Sequence, residues 1–362
     1  MTSSLRQWWT GGSRDLLIKS QDVLIRNLVR APASRLESSG GILNSVEFAG
    51  NPSAEDTLVV AHGYGSGLGF FFRNIDALVS SNQYRRIVLF DWLGMGGSHR
   101  PGCHASPIRG WSEFTTSFCN SRFAPSEAVG FFIDPLHNFL NEHNIQNMTL
   151  VGHSLGGYLS AKYALQYPER IKKLVLASPV GFPDKPHDAL PPSQLPTGLR
   201  VVDALWSSNV TPQQLVRMMG STRGKRNVKR ALRGRIPHLK ESESDMLADY
   251  LYQVTVADPS GEYAINSLLE PVASPNTMGV FAREPLHKQM QDEFDSTTIS
   301  LKVLFGSDDW MRRNNEESAR EVVKSIQSSN AAAVASTHVI PNAGHHLYLD
   351  NSGDSFVGHI LS

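Results

Sequence analysis

The segment Met148–Tyr158, MTLVGHSLGGY, decides the fold. Its first half is an apolar run with strand character, and the alanine-rich LSAKYALQY that follows has helix character. At the junction stands Gly152-His153-Ser154-Leu155-Gly156, a G-x-S-x-G on a strand-to-helix turn. A serine at such a turn is held in a strained conformation. Side chains at 152 and 156 would collide with neighbouring backbone, which is a steric reason for both glycines. The helix that begins here aims its amide end at the serine and favours negative charge developing beside it. The pattern points to Ser154 as a nucleophile.

A serine hydroxyl is a poor nucleophile at neutral pH and needs a base, which in turn needs an orienting acid. On this type of turn the chain order is serine, acid, histidine. The base is expected after the last strand, where THVIPNAGHHLYLD offers His345 and His346. His345, directly after Ala343-Gly344, is preferred, with His346 as a structural histidine. The acid is expected after the preceding strand, in LKVLFGSDDWM. Asp309 is preferred; Asp308 is expected to cap the turn or face solvent. An oxyanion needs backbone donors. One is the N–H of Leu155, and the other is expected from His62-Gly63-Tyr64-Gly65-Ser66-Gly67, with Tyr64 first and Gly65 next. A glycine-rich loop after a strand also suits phosphate, but HGYGSG has no P-loop lysine.

Outward from this motif, apolar runs at 57–62, 85–91, 148–153, 172–178, 301–306 and 337–342 lack clean alternation, as strands buried on both faces should. Helical patterns such as 127–143 and 155–167 lie between them. The alternation predicts an α/β fold with a mostly parallel central sheet flanked by helices. Residues 183–295 interrupt the rhythm and read as helices and loops, a helical cap inserted before the acid-bearing strand. The expected organisation is a tryptophan-containing amphipathic segment at 1–35, a first core part at 36–182, the cap at 183–295 and a second core part at 296–362. In the N-terminal segment, RDLLIKSQDVLIRNLVR predicts a helix over 14–30, with Leu17, Leu24 and Leu28 on one face joined by Leu16 and Val23. With Trp8-Trp9 upstream, this helix suits either docking on the domain or an interfacial anchor.

Lys plus Arg and Asp plus Glu each number 34, so net charge gives no reason to expect a nucleic-acid partner. Two cysteines make no disulfide framework, and a reducing compartment is the default. No apolar run reaches the roughly 18 residues of a membrane span, and the N-terminus lacks the apolar core of a secretory signal. Arg6 and Arg14 without an acid in the first fourteen residues hint at a mitochondrial address. Residues 223–235, RGKRNVKRALRGR, carry seven basic side chains and no acid. They suit a solvated helix face or contact with anionic lipid, at about 1 kcal/mol per charge near the surface. Aromatic and apolar residues such as Phe70-Phe71-Phe72, Trp111, Phe114, Phe118, Trp206, Met218-Met219 and Leu268-Leu269 serve core packing or an acyl-chain site.

HGYGSGLG, FDWLGMGGSHRP, VGHSLGGYLSAKYALQYPERIKKLVLASPVGFP, FGSDDWM and NAGHHLYLD together resemble the α/β-hydrolase superfamily. DYLYQVTVADPSGEYAI and FAREPL resemble its lipid-acting branch. That branch holds the N-acyl-phosphatidylethanolamine lipase, the animal lipid-droplet lipase co-activator, plant phospholipase/acyltransferase relatives and fungal cardiolipin-specific deacylases. The resemblance runs from about Trp8 to Asp350. It implies nucleophile, acid and base at Ser154, Asp309 and His345. The co-activator carries asparagine at the nucleophile position, so the serine here implies hydrolytic competence. The resemblance also implies an H-x4-D acyltransferase motif at His345 and Asp350, although a helix-capping role suits Asp350 equally. The final helix is expected to be short.

The expectation is a serine hydrolase acting on acyl esters or amides of phospholipids or related lipids, without metal or organic cofactor. A peripheral, intracellular attachment to a membrane or lipid droplet is expected. The rival readings are a lysophosphatidate acyltransferase, a non-catalytic lipid-droplet or lipase-binding module and, less in keeping with the cap segment, a soluble peptidase of the proline-iminopeptidase type.

Overall fold

The structure, a computed structural model, describes residues 3–101, 124–295, 298–350 and 353–362. Both cysteines, Trp111, Phe114 and Phe118 lie outside the described residues. In chain order the strands are β1 (Ala33–Arg35), β2 (Ser45–Ala49), β3 (Thr57–Ala61), β4 (Arg86–Phe90), β5 (Met148–His153), β6 (Ile171–Ala177), β7 (Leu269–Ala273), β8 (Met278–Ala282), β9 (Ser300–Gly306) and β10 (Ala335–Ile340). Eight form one sheet in the order β1-β2-β4-β3-β5-β6-β9-β10. From β4 to β10 every neighbour is parallel, while β1–β2 and β2–β4 are antiparallel.

The central strands of the sheet are buried on both faces, and this is why they show no alternation. Leu58, Val60, Ile87, Leu89 and Val151 pack into one core, and Val59, Ala61, Val88, Phe90 and Leu150 into the other. The parallel runs read from sequence are all present. The edge strand β1 and its neighbour β2 went unread. Each is short, β1 is exposed throughout, and β2 alternates buried Val46 and Phe48 with half-buried Glu47.

Three further features correct the sequence reading. First, the insertion between β6 and β9 is not purely helical. Its helices Thr197–Ser207, Pro212–Met218, Gly220–Arg235, Glu241–Val256 and Ile265–Leu268 are followed by the antiparallel ribbon β7–β8, then helix Leu286–Glu293. Pro271 lies within β7, where a two-stranded ribbon has an open edge on each strand that tolerates a missing donor. The turn closes with the Ser274 N–H donating to the Thr277 carbonyl at 2.7 Å.

Second, helix Arg14–Leu28 buries Leu17, Gln21, Leu24 and Ile25, whereas Leu16 and Val23 are exposed. Its inward stripe is therefore narrower than the one read from sequence. The helix starts at Ser13, whose hydroxyl accepts the Leu16 N–H at 3.1 Å, and it packs on the cap helix Glu241–Val256. Third, the described contacts of Asp350 belong to the site described next rather than to the final helix, Gly353–Leu361. That nine-residue helix, Gly353–Leu361, buries Phe356, Val357 and Ile360 and packs against helix Phe72–Ser80.

Candidate active site

β5 delivers Ser154 to the carboxyl edge of the sheet, and helix Leu155–Gln166 begins at the next residue. Ser154 sits at φ 54° and ψ −119°, well outside the regions that L-residues favour. The glycines make this turn sterically feasible. A Cβ at Gly152 would lie 2.4 Å from the Gly156 carbonyl oxygen, and one at Gly156 would lie 2.3 Å from that of His62. The Ser154 N–H is anchored on the Ala177 carbonyl at 2.9 Å, which ties the turn to β6.

Two loops at the same edge complete the group. His345 Nε2 is 3.1 Å from Ser154 Oγ, and His345 Nδ1 is 3.0 Å from Asp309 Oδ1. The carboxylate accepts, so Nδ1 carries the proton and Nε2 offers its lone pair to the serine O–H. Asp309 Oδ1 also takes the Met311 N–H at 2.9 Å, which fixes the carboxylate. The Asp308 N–H donates to the Ala343 carbonyl at 2.9 Å and so joins the acid loop to the histidine loop. The Asp308 side chain itself is exposed, within 3.2 Å of the Ser307 hydroxyl. His346 does not reach Ser154; its Nδ1 lies 2.9 Å from the Tyr348 hydroxyl.

Asp350 joins neither ring of contacts. Its Oδ2 accepts the Gly344 N–H at 2.6 Å, and its Oδ1 lies 3.5 Å from His238 Nε2. It therefore braces the loop one residue before His345. Burial pushes its carboxyl up, opposed by the Gly344 N–H and by the charges of His238 and Arg73.

Sequence reasoning passed over three residues that shape the site. His153, read only as the variable position of G-x-S-x-G, lies with Nε2 2.9 Å from the His345 carbonyl oxygen and holds the base's own backbone. Burial, and then the charges of His345 and His346, keep His153 well below its usual value, so it is the neutral N–H donor. Asp91 is fully buried and accepts the N–H groups of Leu68 and Gly97 at 2.7 and 2.8 Å, joining the loops after β3 and β4. Gln213, from the cap, accepts the Tyr64 hydroxyl at 2.9 Å. None has a sequence signature, because each acts across long stretches of chain.

The loop after β3 lies directly over the serine: a Cβ at Gly63 would stand 3.0 Å from Ser154 Cβ. Tyr64 and Leu155 both line the cavity there, and among the described residues neither backbone N–H is spent on a backbone carbonyl. The cavity, about 370 Å³, lies between sheet edge and cap, with Phe70, Trp206, Leu269, Val280 and Trp310 among its walls. Phe71, Phe72 and Leu268 instead belong to the core, and Met218 is exposed. The arrangement has the parts for acyl transfer: a hydroxyl, a base within proton-transfer distance, a carboxylate behind the base and two backbone donors nearby.

A family model described as alpha/beta hydrolase fold matches residues 56–352. A 1-acylglycerol-3-phosphate O-acyltransferase of Arabidopsis thaliana is 34% identical over 318 residues, covering 85% of this chain and 66% of its own length. The human (Lyso)-N-acylphosphatidylethanolamine lipase is 29% identical over 302 residues, covering 81% of this chain and 75% of its own. Among solved structures, carboxylesterase CesB of Bacillus subtilis superposes with a TM-score of 0.57 at 15% identity, over 96% of this chain and 97% of that one. It is a likeness of fold alone. The chain belongs to the α/β-hydrolase fold family, in its lipid-acting branch.

Proposed function

We propose that the protein is a serine hydrolase that cleaves acyl ester bonds of phospholipids or lysophospholipids through an acyl-serine intermediate. The carrying observation is the contact series Ser154 Oγ, His345 Nε2, His345 Nδ1, Asp309 Oδ1 at the wall of an apolar cavity. Ser154 Oγ attacks the acyl carbonyl and its proton passes to His345. The carbonyl oxygen becomes an oxyanion, held by the N–H groups of Tyr64 and Leu155. Collapse breaks the ester bond, and His345 returns the proton to the departing alkoxide. Water, deprotonated by His345, then attacks the acyl-serine, and a fatty acid and free Ser154 result.

A peripheral site at a lipid surface accords with the outer face. Trp8 is 79% exposed and Met218 69%. They belong to one region, since the Trp9 indole N–H donates to the Arg217 carbonyl at 3.1 Å. Such an apolar, aromatic rim suits interfacial attachment. Among the described residues no helix is long and apolar enough to cross a membrane.

The plant relative's name favours a second reading, in which a lysophospholipid replaces water as acyl acceptor at the same acyl-serine. An independent His345–Asp350 pair finds no support, because Asp350 is bonded to Gly344 and the His345 ring to Ser154 and Asp309. The test is lipid analysis of the purified protein on a mixed phospholipid panel, with and without lysophosphatidate, beside Ser154→Ala. Free fatty acid formed by the parent alone supports hydrolysis. Phosphatidate formed at its expense supports transfer. Equal products from parent and variant overturn both.

A further inference from the structure

We infer that Arg235 reads the headgroup, its guanidinium binding the phosphate of an anionic glycerolipid whose acyl ester lies at Ser154. The inference rests on the hydrolase reading above and narrows its substrate class. Arg235 is the last residue of helix Gly220–Arg235, in the cap, and it lines the same cavity as Ser154 and His345. Among the described residues, every other polar member of that lining is neutral or a histidine, with no lysine, no second arginine and no carboxylate. A cavity whose described wall is mostly apolar, with an arginine on the cap side, suits a ligand with a hydrocarbon portion and an anionic end.

Two of the nearest basic residues on the helix are paired. Lys229 pairs with Asp245 at 2.7 Å, and Arg233 pairs with Glu241 and Asp245 at 3.1 and 3.0 Å. Arg235 has no carboxylate partner among the described residues. Its charge reaches the floor of the site, where it adds to burial and His345 in disfavouring protonation of His346, and contributes in the same sense at His153. Arg235 is exposed at the cap side of the cavity, where its side chain is open to a ligand. A cation at a helix C-terminus also favours the helix dipole, but lysine would serve that purpose equally. The planar, two-pronged donor set is particular to phosphate or carboxylate recognition.

The test compares kcat/KM for two lipids with the same acyl chain, 1-oleoyl lysophosphatidate and 1-monooleoylglycerol, in neutral detergent micelles that remove membrane charge. Arg235→Gln should lower the ratio of phosphate to neutral substrate by about 10- to 100-fold, the loss expected for a charge-assisted hydrogen bond. Arg235→Lys should restore part of it. Arg233→Gln removes the same charge from the same helix and should leave the ratio unchanged. A parent without preference for the phosphate substrate overturns the inference, as does an equal fall of both rates in Arg235→Gln. An Arg233→Gln effect as large as that of Arg235→Gln also overturns it, since general surface charge would then suffice. The underlying hydrolase reading is probed separately with a soluble p-nitrophenyl ester. If the parent turns it over no faster than Ser154→Ala, that reading fails, whatever the lipid ratio. Inhibition of ester turnover by free oleate that vanishes in Arg235→Gln, with the lipid ratio intact, would assign the arginine to the product carboxylate and overturn phosphate recognition.

Discussion

Gly156→Ala puts the geometry of the turn to a quantitative test. The added methyl would meet the His62 carbonyl oxygen at 2.3 Å, its carbon at 2.9 Å and the Ala61 carbonyl oxygen at 3.0 Å. Ordinary contact begins near 3.4 Å, so relief demands a separation of about 1 Å between the start of helix Leu155–Gln166 and the end of β3. Neither side is a flexible side chain. Overpacking costs about 1–3 kcal/mol, and the upper end applies where only backbone can yield. His62 also leads into the loop that presents Tyr64, so the shift reaches the candidate oxyanion donor. A misplacement of about 1 Å at a reacting centre costs on the order of 10²-fold in rate. The comparison is Gly234→Ala in helix Gly220–Arg235, where nothing lies within 4 Å of the new methyl. There, helix propensity favours alanine by up to about 1 kcal/mol. Urea unfolding and initial rates on a p-nitrophenyl ester should move in opposite directions for stability and diverge for rate. A Gly156→Ala protein with the parent's midpoint would refute the packing argument. One that is less stable yet equally active would refute the link between this glycine and the Tyr64 loop.

Asp309→Asn, which removes the charge that fixes the His345 tautomer, should lower kcat by about 10⁴-fold with little change in unfolding midpoint; a change of less than tenfold would count against Asp309 as the orienting acid. His153 and His346 are both held below the usual histidine value of 6.5, chiefly by burial. The unfolded chain therefore binds more protons below about pH 6.5. Unfolding free energy should fall with acidification from there toward their lowered native values, by up to about 1.4 kcal/mol per pH unit per group. Urea midpoints between pH 5 and 8 should show a shallower decline in His346→Gln, and an identical decline would exclude His346 as a source. Arg217 and Glu262, with side chains 7% and 6% exposed, pair at 2.5 Å, and Glu262 also accepts the Thr211 hydroxyl at 2.8 Å. Glu262→Gln leaves a buried guanidinium unpaired and should cost about 3–5 kcal/mol in unfolding free energy. A loss below 1 kcal/mol would show that solvent reaches the pair.

What sequence alone determined is what short-range sterics and burial dictate. Buried strands read as continuous apolar runs, so the parallel strands β3, β4, β5, β6, β9 and β10 were legible. A serine forced to positive φ between two backbone contacts needs glycine on either side, so the turn at Ser154 announced itself. The tertiary structure decided everything that depends on the direction of one side chain among adjacent candidates. Asp308 and Asp309 are neighbours, and only the path of the chain after Gly306 turns one carboxylate inward to His345 and the other to solvent. Similarly, His345 rather than His346 meets Ser154, 191 positions earlier, because Asp350, His153 and the acid loop hold the backbone on either side of it. Those braces, like the grip of Gln213 on Tyr64, join residues far apart in the chain and leave no periodic or spacing signal. The same holds for the ribbon β7–β8 and the inward face of helix Arg14–Leu28, whose exposure is set by the surfaces they meet rather than by their own composition.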